Sequence, residues 1–208
     1  MEKLNSEEIE QEKSNGSPWL EKNTFRIVLI STFAALTVVM GYMLVFIPNI
    51  ELVTLMIFLS GFILGKKDGA IIGLMSSFIF VFFNPYGVSP LPLFAYQLGH
   101  YSLVGILGGM THNFLKNREY FKPEEDLYVF RVLLIFAIMG AIITFVYDIL
   151  STLIGALSIF GTLDTFWATY IIGLPFTTVH LIGNILGFIF ILPGLIQLIY
   201  KMLDISEN

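Results

Sequence analysis

The 208-residue chain has 11 Lys and Arg against 16 Asp and Glu, 56% hydrophobic residues, 13% charged residues and a mean hydropathy of +0.81. Water-soluble domains carry roughly 25% charged residues, so this composition excludes a soluble enzyme and points to a membrane protein. The lack of Cys removes disulfides, thiolate zinc sites, iron–sulfur clusters and a Cys nucleophile, and a net charge of −5 argues against a nucleic-acid partner.

Residues 1–24 are rich in Glu and Lys and poor in apolar side chains, which predicts a polar cytoplasmic tail, disordered or helical at the surface. The stretch behind it lacks a small-residue cleavage site and reads as an uncleaved first span, about Phe25–Phe46, ended by Pro48 and Asn49. A second span, about Ile50–Gly65, turns at Lys66-Lys67-Asp68 into a third, about Gly69–Phe83. Read as a re-entrant hairpin entering from outside, this pair would put two lysines at mid-membrane, at about 2.5–3.5 kcal/mol each, so two short full spans are the better reading. The Pro-rich segment 84–92 leads to the fourth span, about Leu93–Leu115, and a charged loop 116–128 leads to the fifth, about Val129–Leu150. A loop over 151–168 precedes the sixth, about Thr169–Tyr200, which Pro175 and Pro193 are expected to bend or end.

All eleven basic residues fall on one side of this arrangement: Lys3, Lys13, Lys22, Arg26, Lys66, Lys67, Lys116, Arg118, Lys122, Arg131 and Lys201. The positive-inside rule then places both termini in the cytoplasm. The expected fold is an all-α integral membrane protein of six transmembrane helices over 25–200, with cytoplasmic tails at 1–24 and 201–208.

On the outer half the ionised side chains are Glu51, Asp148 and Asp164. Carboxylates at membrane depth usually face a cavity or a partner, although Glu51 could instead cap the second helix and Asp164 could be a wet loop residue. His180 and Asn184 stand one turn apart on one face of the sixth span, and Gln97 with His100 share a face of the fourth. Each pair could bond another helix or a solute; together, below an acidic outer half, they favour a binding cavity. No HExxH-type spacing is present, so no metal site and no cofactor is expected. Gly61, Gly65, Gly69 and Gly73 recur every four residues, the spacing that lets backbones pack closely. Ser31 and Ala35 make a small-xxx-small surface on the first span. The many aromatic residues read mainly as lipid-facing mass, with Trp167 near the outer boundary as a belt anchor. Without a Walker motif or nucleophile elbow, the chain is not expected to be an enzyme or to hydrolyse ATP.

Three stretches resemble the substrate-binding S-component of energy-coupling factor (ECF) transporters: Ile50–Val53 running into FLSGFILGKKDGAIIG, then NPYGVSPLPLFAYQLGHYSLVGILGG, and GLPFTTVHLIGNILGFIFILPGL. The resemblance implies a multi-pass subunit of a prokaryotic cell membrane. It would capture a vitamin-sized solute from outside and work with a transmembrane coupling subunit and two cytoplasmic ATPases. It also implies that Ser31-xxx-Ala35, where the family often has Ala-xxx-Ala, contacts the coupling subunit. The candidate solute contacts are Glu51, Asn84, Gln97, His100, Asp148, Trp167, His180 and Asn184, with 84–92 as a lid. Three outer carboxylates and no outer Lys or Arg predict a neutral or cationic, aromatic solute. The competing classes are a self-contained channel or secondary carrier, with Asp148 and His180 relaying ions, and a membrane scaffold without a ligand.

Overall fold

The computed structural model describes residues 23–203, so most of the expected N-terminal tail and residues 204–208 lie outside the described residues. The described residues form helices α1 (Asn23–Leu44), α2 (Val53–Leu64), α3 (Lys66–Phe82), α4 (Leu91–Leu115), α5 (Phe130–Phe160) and α6 (Leu163–Leu186). A π-helical turn, Gly187–Ile191, then leads to α7 (Leu192–Leu203). Among the described residues there is no strand, only one isolated bridge between Lys122 and Asp126.

Among the described residues, three helical stretches are long and apolar enough to cross a membrane: Thr24–Leu44, Phe130–Phe160 and Leu163–Met202. The expected second span is shorter than its sequence suggested. α2 has 12 residues, about 18 Å of helix, against a hydrocarbon core of about 30 Å. Its continuous apolar sequence has another cause, because every residue from Val53 to Ile63 is buried. A helix that is apolar all round is either a core helix or a membrane span, and α2 is of the first kind, enclosed by α1, α3, α4 and α7.

The structure corrects the sequence expectation at three other places. Lys66, Lys67 and Asp68 form the first turn of α3, and the reversal from α2 is made at Gly65 alone, with φ 93°. The stretch 151–168 is mostly helical: α5 runs on to Phe160, and only Gly161 and Thr162 separate it from α6, Gly161 being left-handed at φ 73°. Pro175 does not end the sixth helix, whereas Pro193 does mark an interruption: the chain is helical on both sides of it, so the proline removes a rung of the ladder. The interruption lies just before Pro193, in the π-turn.

The expected glycine packing is present and extends to α4. A Cβ on Gly61 would collide with the Gly105 carbonyl, one on Gly69 with Gly61 and one on Gly73 with the Tyr101 carbonyl; Gly105 and Gly108 are equally tight against Gly69 and Phe58. The fourth glycine of the series, Gly65, faces open space and serves the turn instead. Beside this contact lies an aromatic core: Phe58 packs on Phe188 at 5.0 Å and Phe62 on Phe136 at 5.8 Å between ring centres.

One end of the bundle is cationic. Arg26 of α1 donates from two nitrogens to the buried Asp68 of α3, at 2.6 and 2.7 Å. Lys66 lies against Gly109, and Tyr200 of α7 meets His112 of α4 at 3.1 Å. Lys116, Lys122 and Lys201 therefore share an end with Lys66 and Arg26, as the charge pattern requires.

Candidate polar site between alpha2, alpha4, alpha5 and alpha6

Toward the end opposite these cations, six of the eight candidate solute contacts converge. Glu51, just before α2, accepts the Thr54 backbone N–H at 2.8 Å through Oε2 and the Asn184 amide at 3.0 Å through Oε1. The same Oε1 lies 3.6 Å from His180 Nε2. His180 Nδ1 donates to Asp148 Oδ1 of α5 at 2.8 Å, so the imidazole stands between two carboxylates. Asn184 also donates to Thr144 Oγ1 at 2.9 Å. Glu51 thus satisfies the start of α2, and it also bonds into the cluster.

The fourth-span pair joins through tyrosines. Gln97 Nε2 donates to the Tyr147 hydroxyl at 3.1 Å. The Tyr147 ring packs against His100 at 5.0 Å, Tyr101 at 5.7 Å and His180 at 6.0 Å. Tyr96 approaches His100 Nδ1 at 3.4 Å and donates to the Val146 carbonyl at 3.3 Å. Most polar atoms of the cluster are satisfied within it. Gln97 Oε1 and Asp148 Oδ2 are buried without a hydrogen-bond partner. Buried polar groups are nearly always bonded, because an orphaned one costs about 1–3 kcal/mol. Two such acceptors in one cluster suit a guest that brings N–H or O–H donors.

The model of the family described as ECF-type riboflavin transporter, S component, matches residues 21–201. The chain belongs to that family. Neither the curated proteins nor the solved structures gave a match. The chain is thus a multi-pass membrane protein of a transport family and not of an enzyme family, and substrate binding within an ECF transporter is the role of such a subunit.

In this S-component, two candidates stand apart from the cluster. Trp167 is 63% exposed and its ring meets Phe166 at 5.1 Å, away from the cluster. Asn84 accepts the Tyr86 backbone N–H at 2.9 Å and so shapes the 84–92 segment. Asp164 is exposed in the first turn of α6. Ser31 and Ala35 lie on the exposed face of α1, opposite buried Phe33, Ala34 and Thr37.

Sequence reasoning missed Tyr96, Tyr101, Thr144 and Tyr147, which it grouped with lipid-facing mass or passed over. Position was the available signal. Tyr96 and Tyr101 flank Gln97 and His100 on one helix face, while Thr144 stands one turn before Asp148 and Tyr147 adjoins it. At the cationic end, a cavity of about 200 Å³ is lined by residues that include His112, Lys116, Lys122, Glu124, Glu125 and Tyr200.

Proposed function

We propose that this S-component captures a vitamin-sized aromatic solute of the riboflavin type from outside the cell and delivers it through a separate coupling subunit and two cytoplasmic ATPases. Glu51, Gln97, His100, Asp148, His180 and Asn184 are the proposed solute contacts, joined by Tyr96, Tyr101 and Tyr147. The observation that carries this reading is the pair of orphaned acceptors, Gln97 Oε1 and Asp148 Oδ2, within a wall of tyrosine and imidazole rings. A planar heterocycle could stack on those rings and donate to those oxygens.

The proposed topology has six crossings and both termini in the cytoplasm of a prokaryotic cell membrane, with the cationic end inward. α2 and α3 act together as a short pair of crossings, α2 enclosed by its neighbours and α3 with one apolar face open to lipid. Exposed Ser31 and Ala35 form the proposed contact with the coupling subunit, where small side chains let a partner helix approach. The 84–92 segment is the proposed lid, stiffened by its prolines and the Asn84 turn. The charge argument for the solute needs revision: Glu51 and Asp148 already face His180, Asn184 and the Thr54 amide, so the outer carboxylates give no reason to prefer a cation.

Titrating riboflavin into the purified full chain, and following its fluorescence, tests the reading. Quenching that saturates, and is weakened at least tenfold in both Asp148→Asn and His180→Ala variants that still melt as folded protein, is the expected outcome. Solute uptake by liposomes holding this chain alone, without ATPases, would instead favour a self-contained carrier.

A further inference from the structure

Helix α6 is held to the bundle in an unusual way. Of its 24 residues only His180 and Asn184 are buried, and no residue from 163 to 179 is. Apolar side chains lose little by facing lipid, so membrane helices adhere through close backbone contact and interhelical hydrogen bonds. α6 packs along α5, to which Gly161 and Thr162 join it directly, but not through glycines: Gly173 and Gly183 have open space where a Cβ would stand. Thr169 and Thr178 donate to carbonyls of their own helix. The second kind of contact is concentrated in the turn from His180 to Asn184. There Asp148 and Thr144 tether α6 to α5, while Glu51 carries the clasp across to the start of α2.

Directly after that turn the α-helix gives way to the π-turn Gly187–Ile191. Such turns interrupt the regular hydrogen-bond ladder and commonly mark places where a helix bends. This one is firmly seated. Phe188 is fully buried against Phe58 and over Gly140, and the Phe190 carbonyl accepts the Tyr128 hydroxyl at 2.8 Å. Beyond it, Leu192 and Ile196 of α7 are also fully buried. A fixed base, a discontinuity and an arm clasped to the start of α2 at one polar turn lie in sequence along a single stretch of chain.

We propose that the arm of α6 from Leu163 to Asn184, moving with the end of α5 to which Gly161 and Thr162 join it, is a gate for the solute, pivoting on the π-turn and latched closed by Glu51. This rests on the solute-capture reading of the polar cluster and adds the way in. Swinging the arm outward breaks the Asn184–Glu51 bond and uncovers Asp148 Oδ2 and the Gln97 amide. A solute that satisfies those acceptors lets the arm close over it, with Glu51 restoring the latch.

The absence of Cys makes the test direct, since paired spin labels can be placed at will. Leu91 at the start of α4 and Ile172 on the arm are 78% and 76% exposed, and a control pair at Leu74 and Leu103 reports on α3 against α4. In the full chain in lipid nanodiscs, riboflavin should shift the Leu91–Ile172 distances to a single shorter population. Glu51→Ala should shift them longer and broaden them without any ligand, while the control pair stays unchanged. Asn184→Leu should act like Glu51→Ala and serves if the latter folds poorly. Unchanged Leu91–Ile172 distances in both variants would overturn the gate, as would equal broadening of both label pairs. Failure of riboflavin to quench in the unlabelled protein would count against the solute reading alone, because the Glu51→Ala comparison needs no ligand.

Discussion

Helices α2, α3 and α4 meet backbone to backbone, whereas α6 packs along α5 and is clasped to the start of α2 by a few polar side chains. In the first region Gly61, Gly69, Gly73, Gly105 and Gly108 leave no room for even one methyl group. In the second, the two buried residues of α6 are a histidine and an asparagine bonded to carboxylates and a threonine. Dispersion over a long close contact is strong and tolerates no displacement, because it falls off within about an ångström. A few hydrogen bonds are weaker in sum and can be exchanged for bonds to a solute. The bundle therefore has one part suited to be a scaffold and another suited to move.

The largest expected effect comes from disturbing the scaffold. Gly61→Val places a branched side chain against the Gly105 carbonyl, which cannot yield without moving a helix, and should destabilise by about 3 kcal/mol. Thermal melting in detergent checks this, and a variant that melts like the parent would show that the close approach contributes nothing. Asp68→Asn should come next. It removes the charge that Arg26 meets with two hydrogen bonds, but Arg26 is 44% exposed, so a loss of about 1–2 kcal/mol is expected.

On the α6 side, Asn184→Ala deletes the bonds to Glu51 and Thr144. Interhelical hydrogen bonds in membranes average about 0.6 kcal/mol, so melting should fall by only about 1 kcal/mol. Riboflavin affinity should fall at least tenfold, a split between binding and folding that a scaffold residue would not show. Ser31→Leu and Ala35→Leu should leave both melting and riboflavin binding intact and abolish uptake by the assembled transporter; normal uptake would remove that face from the coupling role. Trp167→Ala should do least of all, with no measurable change in affinity, since its ring lies outside the cluster. A clear loss of binding there would return Trp167 to the solute contacts.

Helix α5 shows how far local reasoning reaches. Its start near Val129 is legible from the charged loop before it, yet small residues such as Ser151, Thr152 and Gly155 suggest an end ten residues short of Phe160. In helical context Ser151 and Ser158 donate to carbonyls of their own helix, and the chain stops only at left-handed Gly161. α2 shows the opposite limit. Its apolar run was plain, but the same run describes a lipid-facing span and a buried core helix, and only its neighbours distinguish them.

From the sequence alone follow the membrane setting, the helical class, the single cationic end, the glycine spacing and six residues of the polar cluster. These depend on composition and on positions a few residues apart, which the helical repeat converts directly into shared faces. Only the tertiary structure decided that Glu51 closes on Asn184, 133 residues away, that Tyr147 bridges Gln97 and His180, and that Trp167 stands outside. Which faces of separate helices meet depends on rotations and heights set by packing over the whole bundle, and no local pattern in the chain encodes them.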